Sequence, residues 1–240
     1  MISTQDKEYI TSLSQRCDSG DIFAMEELAS FYYEDHPELI DNSTVRLVSE
    51  YYAKAAAAGH QKAALNLGAL YCDGAYLEPD YPKAIDLFKS AISGSDGRIA
   101  AIACAKLGDC YRAGKGTEID YSRAFDCYLE GVLLCNHPVC LYKLGDMYRA
   151  GEFVNQDSKK AYFIYSKAKT VSQRFCNDSY AEILVRLAEL MIEGAGTDKD
   201  VASAVKYLEM AKRMQSKSSN PENIPQKVEQ LLQKALNNQQ

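Results

Sequence analysis

The sequence predicts an all-α protein, a right-handed α-solenoid (α/α superhelix) of about five helix-turn-helix repeats with a helical cap at each end. The clearest observation is KLGDCYRAG at residues 106–114, which returns as KLGDMYRAG at 143–151, 37 positions later. Apolar and small residues recur around these stretches with helical spacing, and a glycine closes each stretch. A single helix pair cannot bury its own apolar face, so stacked neighbours are expected to bury it together.

Four units share one register when they are aligned on the leucines at 67, 107, 144 and 187. Counted from this anchor, Tyr or Met stands four residues on, Gly seven on, Asp thirteen on, Ala seventeen on, and an aromatic residue or Leu twenty-one on. A fifth, degenerate unit at the start is anchored on Leu28, lacks the glycine, and needs about three extra residues to regain register.

Each recurring position has a physical reason. The anchor Leu, the small residue after it and the Tyr four residues on form one apolar stripe on a first helix. The Gly suits the left-handed position that ends a helix, and the Asp suits the N-cap of a second helix. The Ala, the aromatic residue and a further small residue then place one face of the second helix on the first.

We therefore expect a single repeat domain over 1–240. Amphipathic segments predict a cap helix from Ser3 to Cys17 and another from Gln226 to Leu236. The predicted boundaries are 1–20 for the N-terminal cap, 21–60, 61–98, 99–136, 137–178 and 179–215 for the repeats, and 216–240 for the C-terminal cap and tail.

Composition excludes some classes of function. The net charge of −6 disfavours sequence-independent binding to nucleic acid, which depends on neutralising phosphates. No segment approaches the ~18 uninterrupted apolar residues of a membrane span, and MISTQDKEYI does not have the pattern of a signal peptide. The sequence therefore predicts a cytoplasmic protein with no membrane insertion.

The repeat pattern resembles a known family. The pattern A-x-x-x-L-G-x-x-Y-x-x-G-x-G, followed by D-x-x-K-A, is similar to the Sel-one-like repeat (SLR), a longer relative of the tetratricopeptide repeat. In this chain it is carried by Ala103, Leu107, Gly108, Tyr111, Gly114, Gly116, Asp120, Arg123 and Ala124. The resemblance covers residues 24 to about 212, and departs from the pattern where Tyr76 and Phe153 replace the second glycine.

This resemblance implies a protein–protein interaction scaffold or adaptor that binds a peptide or a folded partner on its concave face. A regulatory subunit of an enzyme is the alternative. The resemblance implies no cofactor, and the sequence predicts no metal site and no catalytic residue.

By analogy with tetratricopeptide arrays, the first helix of each repeat lines the concave face. Positions −5, −2, +2, +5 and +6 from the anchor Leu are then expected to face a partner. The candidate partner-binding residues at these positions are Lys62, Asp73, Asp109, Arg112, Tyr142, Asp146, Arg149, Glu182, Glu189 and Glu193.

Arg112 and Arg149 occupy the same position in adjacent units and allow two interpretations. They could grip a carboxylate of the partner with two hydrogen bonds each. Alternatively, each could pair with the Asp three residues before it on the same helix, which needs no partner protein.

Eight cysteines are present, none in a C-x-x-C pair. Family members with structural disulfides repeat their cysteines at matched positions in successive units, whereas the cysteines of this chain are scattered. The scatter favours small apolar fillers in a reducing compartment over a disulfide framework, which is the alternative.

Two S-x-x-K matches, Ser166 to Lys169 and Ser203 to Lys206, raise the possibility of a β-lactam-binding hydrolase, as proposed for cysteine-rich relatives. That chemistry also needs S-D-N and K-T-G elements, which the sequence lacks. The sequence therefore predicts a protein that is not an enzyme.

Overall fold

The computed structural model describes residues 3–74, 76–175, 179–215 and 224–237, and all regular structure in these ranges is helical. The chain divides into two compact units, residues 1–120 and 121–240, with the boundary between the two helices of the third repeat. The expectation of one domain over 1–240 stays a prediction.

In the part of the first unit that the structure describes there are six α-helices, each packed against the next along the chain. They are α1 (Thr4–Asp18), α2 (Ile22–Ser30), α3 (Asn42–Ala57), α4 (Gln61–Asp73), α5 (Tyr81–Ile92) and α6 (Gly97–Ala113). The first helices of the second and third repeats, α4 and α6, also contact each other directly.

The second unit also has six α-helices among its described residues, and each packs against the next. They are α7 (Tyr121–Cys135), α8 (Pro138–Ala150), α9 (Ser158–Phe175), α10 (Tyr180–Glu193), α11 (Val201–Gln215) and α12 (Ile224–Asn237). The predicted helical caps are confirmed as α1 and α12, which bury Leu13 and Cys17 at one end and Val228, Leu231 and Ala235 at the other.

The predicted helix-ending signals are confirmed. The glycines that follow α4, α6, α8 and α10 have φ values between 64° and 74°, in the left-handed region. Asp80, Asp157 and Asp200 cap the following helices by accepting hydrogen bonds from backbone N–H groups three residues on, at 3.1, 2.9 and 3.0 Å. The first repeat lacks the glycine and instead has a π-helical segment, Phe31–Asp35, and a short 3₁₀ turn, Pro37–Leu39, which account for its extra residues.

The core explains why a small residue follows the anchor Leu. A Cβ added at Gly68 would lie 2.7 Å from the ring of Phe88, and one at Gly145 would lie 2.5 Å from the ring of Tyr165. The aromatic residue of the second helix therefore lies directly on the first helix of its own repeat, and a glycine makes room for it. In the last repeat the smaller Leu208 takes the aromatic position and Ala188 the glycine position, and both are fully buried.

No helix in the described part of the chain combines the length and the apolar character needed to span a membrane.

Candidate partner-binding site

The ten candidate residues lie on the first helices of four repeats. The first unit holds four of them, Lys62 and Asp73 on α4, and Asp109 and Arg112 on α6. The second unit holds the other six, Tyr142, Asp146 and Arg149 on α8, and Glu182, Glu189 and Glu193 on α10.

In the second unit, Asp146 is bound by an arginine of the next repeat. The Oδ1 and Oδ2 atoms of Asp146 accept hydrogen bonds from Nε and Nη2 of Arg186 on α10, at 2.7 and 3.0 Å. The hydroxyl of Tyr165 on α9 donates to the same Oδ1 at 2.6 Å. Because the Tyr165 ring is fully buried on the first helix of its repeat, its hydroxyl is fixed in place to orient the carboxylate.

Arg186 is the centre of this arrangement, although its side chain is only 22% exposed. Its guanidinium lies 4.4 Å from the ring centroid of Tyr142, a cation–π contact, and 3.5 Å from the carboxylate of Glu182. Burial alone would lower the pKa of Arg186, but Asp146 more than offsets it and raises the pKa above its ordinary value. Arg186 therefore stays charged in every accessible condition, and Tyr142, buried beneath it, supports it.

A second group of charges links α8, α10 and α12. Arg149 donates to a carboxylate oxygen of Glu189, and its Nη2 lies 3.4 Å from a carboxylate oxygen of Glu193. The other oxygens of these glutamates bind Lys227 at 2.9 Å and Lys234 at 3.0 Å, both on the cap helix. Burial would raise the pKa of Glu189, but Arg149 and Lys227 hold it below its ordinary value of 4.5.

This geometry changes the interpretation of Arg149. The same-helix interpretation assigned Arg149 to Asp146, whereas the structure pairs Arg149 with two glutamates about 40 residues further along the chain. The reason is that Asp146 is turned toward Arg186 and Tyr165. Asp109 and Arg112 are both half-buried on α6, and their same-helix pairing stays a prediction.

In the first unit, Lys62 lies between two carboxylates of the preceding repeat. Its ammonium group is 3.3 Å from Glu26 and 3.1 Å from Glu34, and it donates to the hydroxyl of Ser30 at 3.2 Å. Burial would lower the pKa of Lys62, but the two glutamates raise it above its ordinary value. Lys62 therefore contributes to packing between repeats.

A buried tyrosine also organises the polar contacts of the first unit. The hydroxyl of Tyr52, a fully buried residue of α3, lies 3.1 Å from the hydroxyl of Ser30 and 3.1 Å from the amide nitrogen of Asn66. The Asn66 amide also donates to Glu34. At the far end of α4, Asp73 accepts a hydrogen bond of 2.9 Å from the hydroxyl of Tyr33.

The residue directly before each anchor Leu was not among the predicted site residues, although Asn66 and Arg186 stand at this position and bridge consecutive repeats. A usable signal was present, because this position is polar in every unit while its neighbours are mostly apolar. Its occupants are Glu27, Asn66, Lys106, Lys143 and Arg186.

The lysine of the first S-x-x-K match has a packing role. Lys169 on α9 donates to the hydroxyl of Tyr207 on α11 at 2.6 Å, and its ammonium lies 4.6 Å from that ring centroid. Within the ranges that the structure covers, no group of three or more His, Cys, Asp or Glu side chains is placed to hold a metal ion.

Sequence comparison finds one family. The chain matches the family described as Sel1 repeat over residues 50–60, 61–96, 101–132, 138–170 and 182–216. Together these segments span more than half of the chain and follow the predicted repeats, while the degenerate first repeat is matched only at its end. No curated protein matches the chain in sequence.

Solved structures share the fold at low sequence identity. A Sel1 repeat protein from Oxalobacter formigenes matches with a TM-score of 0.66 and 20% identity, covering 87% of this chain and 81% of its own. The antigen c5321 of uropathogenic Escherichia coli, described as displaying an SLR fold, matches with a TM-score of 0.68 and 20% identity, covering 95% of this chain and 48% of its own. A Sel1 repeat protein from Klebsiella pneumoniae matches with a TM-score of 0.54 and 17% identity, covering 94% of this chain and 99% of its own.

Proposed function

Because this chain belongs to the Sel1 repeat family, we propose that it is an interaction scaffold that binds a peptide or a folded protein along the first helices of its repeats. The observation that carries the proposal is the row of charged side chains on these helices, held in place by contacts between consecutive repeats. Arg149 and Glu193 retain 29% and 35% exposure of their side chains within this arrangement, and Lys234 of the adjoining cap helix retains 49%.

Held charges are suited to recognition for an energetic reason. A long side chain that is already restrained loses less conformational entropy when a partner binds than a free one does. Both oxygens of Glu193 have cationic neighbours, Arg149 and Lys234, and its side chain still faces solvent. Such a surface would present a fixed pattern of charge to a partner.

This proposal differs in one respect from the expectation that Arg149 grips a partner carboxylate. Arg149 would first have to leave Glu189, which is itself nearly buried and would then have lost one of its two cationic partners among the described residues. We therefore assign Arg149 to the framework of the surface, and direct partner contacts to the more exposed residues around it.

For the same reason, charge reversal at Arg149 is a poor test of binding. A glutamate at 149 would face Glu189 and Glu193, so lost binding could simply reflect lost stability. Exposed positions without a framework role are better probes. Ala113 on α6 and Ala150 on α8 are exposed and stand six residues after their anchor Leu, on the predicted binding face.

The test is site-specific photo-crosslinking in the native cell, with a benzophenone amino acid at Ala113 or Ala150. The matched controls carry the probe on second helices, at exposed Lys89 in the first unit and at Phe163, 70% exposed, in the second. We expect the same crosslinked partner from Ala113 and Ala150 and none from the controls. Crosslinks from Lys89 and Phe163 alone would contradict the assignment of the first helices as the binding face.

We also propose a reducing compartment, in the simplest case the cytoplasm. Free thiols at Cys17, Cys72 and Cys110 support this assignment, and Cys176 lies outside the described residues. Rapid alkylation of intact cells, followed by mass spectrometry, would contradict it if most of these thiols were already oxidised.

A further inference from the structure

Two cysteines of consecutive repeats lie next to each other in the first unit. Cys72 on α4 and Cys110 on α6 place their sulfur atoms 3.9 Å apart, and these two first helices are in direct contact. A disulfide brings the sulfurs to about 2 Å, so the side chains have to close a gap of roughly 2 Å. The two thiols are separated by 38 residues in sequence and stand at different positions of their repeats, so the spacing of the cysteines does not predict this pair.

The two thiols differ in access to solvent. Cys110 is 3% exposed, whereas Cys72 is only partly buried, near the C-terminal end of α4. A small soluble reagent therefore reaches Cys72 first, and Cys110 can react only with a group already attached at Cys72.

The surroundings also favour the thiolate on the accessible side. The pKa of Cys72 is lowered mainly by its contact with the Cys110 thiol, and Lys106 and Lys115 lower it further, against burial and Asp73. The same contact and burial raise the pKa of Cys110. Cys72 is thus the nucleophile of the pair and Cys110 the resolving thiol.

We propose that Cys72 and Cys110 form a thiol–disulfide exchange site that reacts with small disulfides, such as oxidised glutathione, and ends as a disulfide between consecutive repeats. In the first step the Cys72 thiolate attacks one sulfur of the small disulfide. A mixed disulfide forms, and the other half leaves as a thiolate that takes up a proton.

In the second step Cys110 loses its proton and its sulfur attacks Cys72 Sγ. The mixed disulfide breaks, and the second small thiol leaves. The sum is two protein thiols and one small disulfide converted into one protein disulfide and two small thiols, so a reducing thiol in excess reverses it.

The Cys72–Cys110 disulfide would form beside the proposed partner-binding face. Cys72 is adjacent to Asp73, and Cys110 is adjacent to Asp109, both on the proposed partner-binding face. The bond would link α4 and α6 covalently and fix the spacing of two repeats on that face. The exchange chemistry itself does not depend on the proposed function, so the two can fail separately.

The test uses the full-length, fully reduced protein treated with oxidised glutathione, then quenched by acid and alkylated. Peptide mapping should find Cys72 linked to Cys110, with a loss of two hydrogens from the intact mass. The linked form should unfold at a temperature higher by roughly 5 °C, and an excess of dithiothreitol should reverse both changes.

Three variants separate the proposal from general thiol reactivity. Cys110→Ser should stop the reaction at a glutathione adduct on Cys72, and Cys72→Ser should leave Cys110 unmodified. Cys17→Ser, which removes a buried thiol of the same unit, should leave the reaction unchanged. An adduct on Cys72 in the native sequence without linkage, or faster modification of another cysteine such as the partly buried Cys135, would overturn the proposal.

Discussion

In the first unit the hydroxyl of buried Tyr52 contacts the neutral groups of Ser30 and Asn66, whereas in the second unit the hydroxyl of buried Tyr165 contacts Asp146, which Arg186 also holds. The three residues of each contact stand at corresponding positions of their repeats. In both units a second-helix tyrosine reaches the residue two after its own anchor Leu, and the residue before the next anchor closes the contact. We call these two sets of contacts, Tyr52 with Ser30 and Asn66 and Tyr165 with Asp146 and Arg186, the two junctions. Their geometry is the same, whereas the chemical groups in contact differ.

The two junctions differ in the free-energy cost of losing a partner. When a neutral amide or hydroxyl loses one partner, the cost is the desolvation of a single polar group. A largely buried carboxylate that loses its cation costs considerably more, because a charge is left uncompensated. The side chains of Asp146 and Arg186 are only 16% and 22% exposed, so the second junction is the more vulnerable of the two.

The largest expected effect is that of Arg186→Met. The substitution takes the bidentate cation away from the largely buried Asp146 carboxylate, and we expect a loss of about 3 kcal/mol in the free energy of unfolding. Urea unfolding followed by circular dichroism measures it. Arg98→Ala, which removes an exposed arginine of the first unit, is the control and should leave stability unchanged.

A double variant sharpens this prediction. Asp146→Asn together with Arg186→Met removes both charges, so we expect it to be more stable than Arg186→Met alone. If the double variant were the less stable of the two, the uncompensated charge could not be the cause of the loss.

Removing a neutral partner of the Tyr52 hydroxyl should cost less stability than removing Arg186. Asn66→Ala leaves the Tyr52 hydroxyl with Ser30, and leaves Glu34 with Lys62, so we expect a loss of about 1.5 kcal/mol. The same unfolding experiment measures this loss. Tyr52→Phe provides a matched comparison, because it removes the hydroxyl that the Asn66 amide contacts. A loss as large as that of Arg186→Met would remove the distinction between the two junctions.

A smaller, pH-dependent effect is expected at Glu189. The pKa of Glu189 lies below its ordinary value of 4.5 in the folded protein, so the carboxylate stabilises the fold above that value. This stabilisation is lost as the pH falls through the lowered pKa. From about pH 6 to about pH 3 the native protein should therefore lose more stability than Glu189→Gln, measured by unfolding at a series of pH values. Parallel losses for the two proteins would mean that Arg149 and Lys227 do not stabilise the charged form.

The smallest effect is expected for a surface pair outside both junctions. Lys54 lies 2.7 Å from Glu50 one turn before it on α3, and both side chains are about half exposed. Solvent screening weakens such pairs, so Lys54→Ala should not change stability measurably in the same assay. A clear loss here would show that charge pairing stabilises this protein regardless of burial.

Much of the fold could be predicted from local rules. Glycine at a left-handed helix end, Asp at an N-cap and a small residue after the anchor Leu are each favoured by backbone or packing geometry within one repeat, and the structure confirms them. The sequence also reflects one contact between the two helices of a repeat, since glycine follows the anchor Leu where the ring of Phe88 or Tyr165 lies on that helix.

The candidate site could be predicted only in part. The candidate residues do lie on the predicted first helices, whereas their role in binding stays a prediction. Spacing along one helix could not identify the partners of the charges, because the next repeat brings the partners of Arg149 and Asp146 into contact with them. Arg186 was missed for the same reason, since it stands within an otherwise apolar run and becomes a bridging residue only when α10 packs beside α8.

The sequence by itself determined the helices, their ends, the repeat length and the residues that face the core, because these depend on contacts within a few turns or within one repeat. Only the tertiary structure decided which charges pair, which thiols meet and which tyrosine hydroxyls are held. These are contacts between residues about 15 to 40 positions apart. At such separations no local preference of the chain selects one partner over another, and the packing of neighbouring helices does.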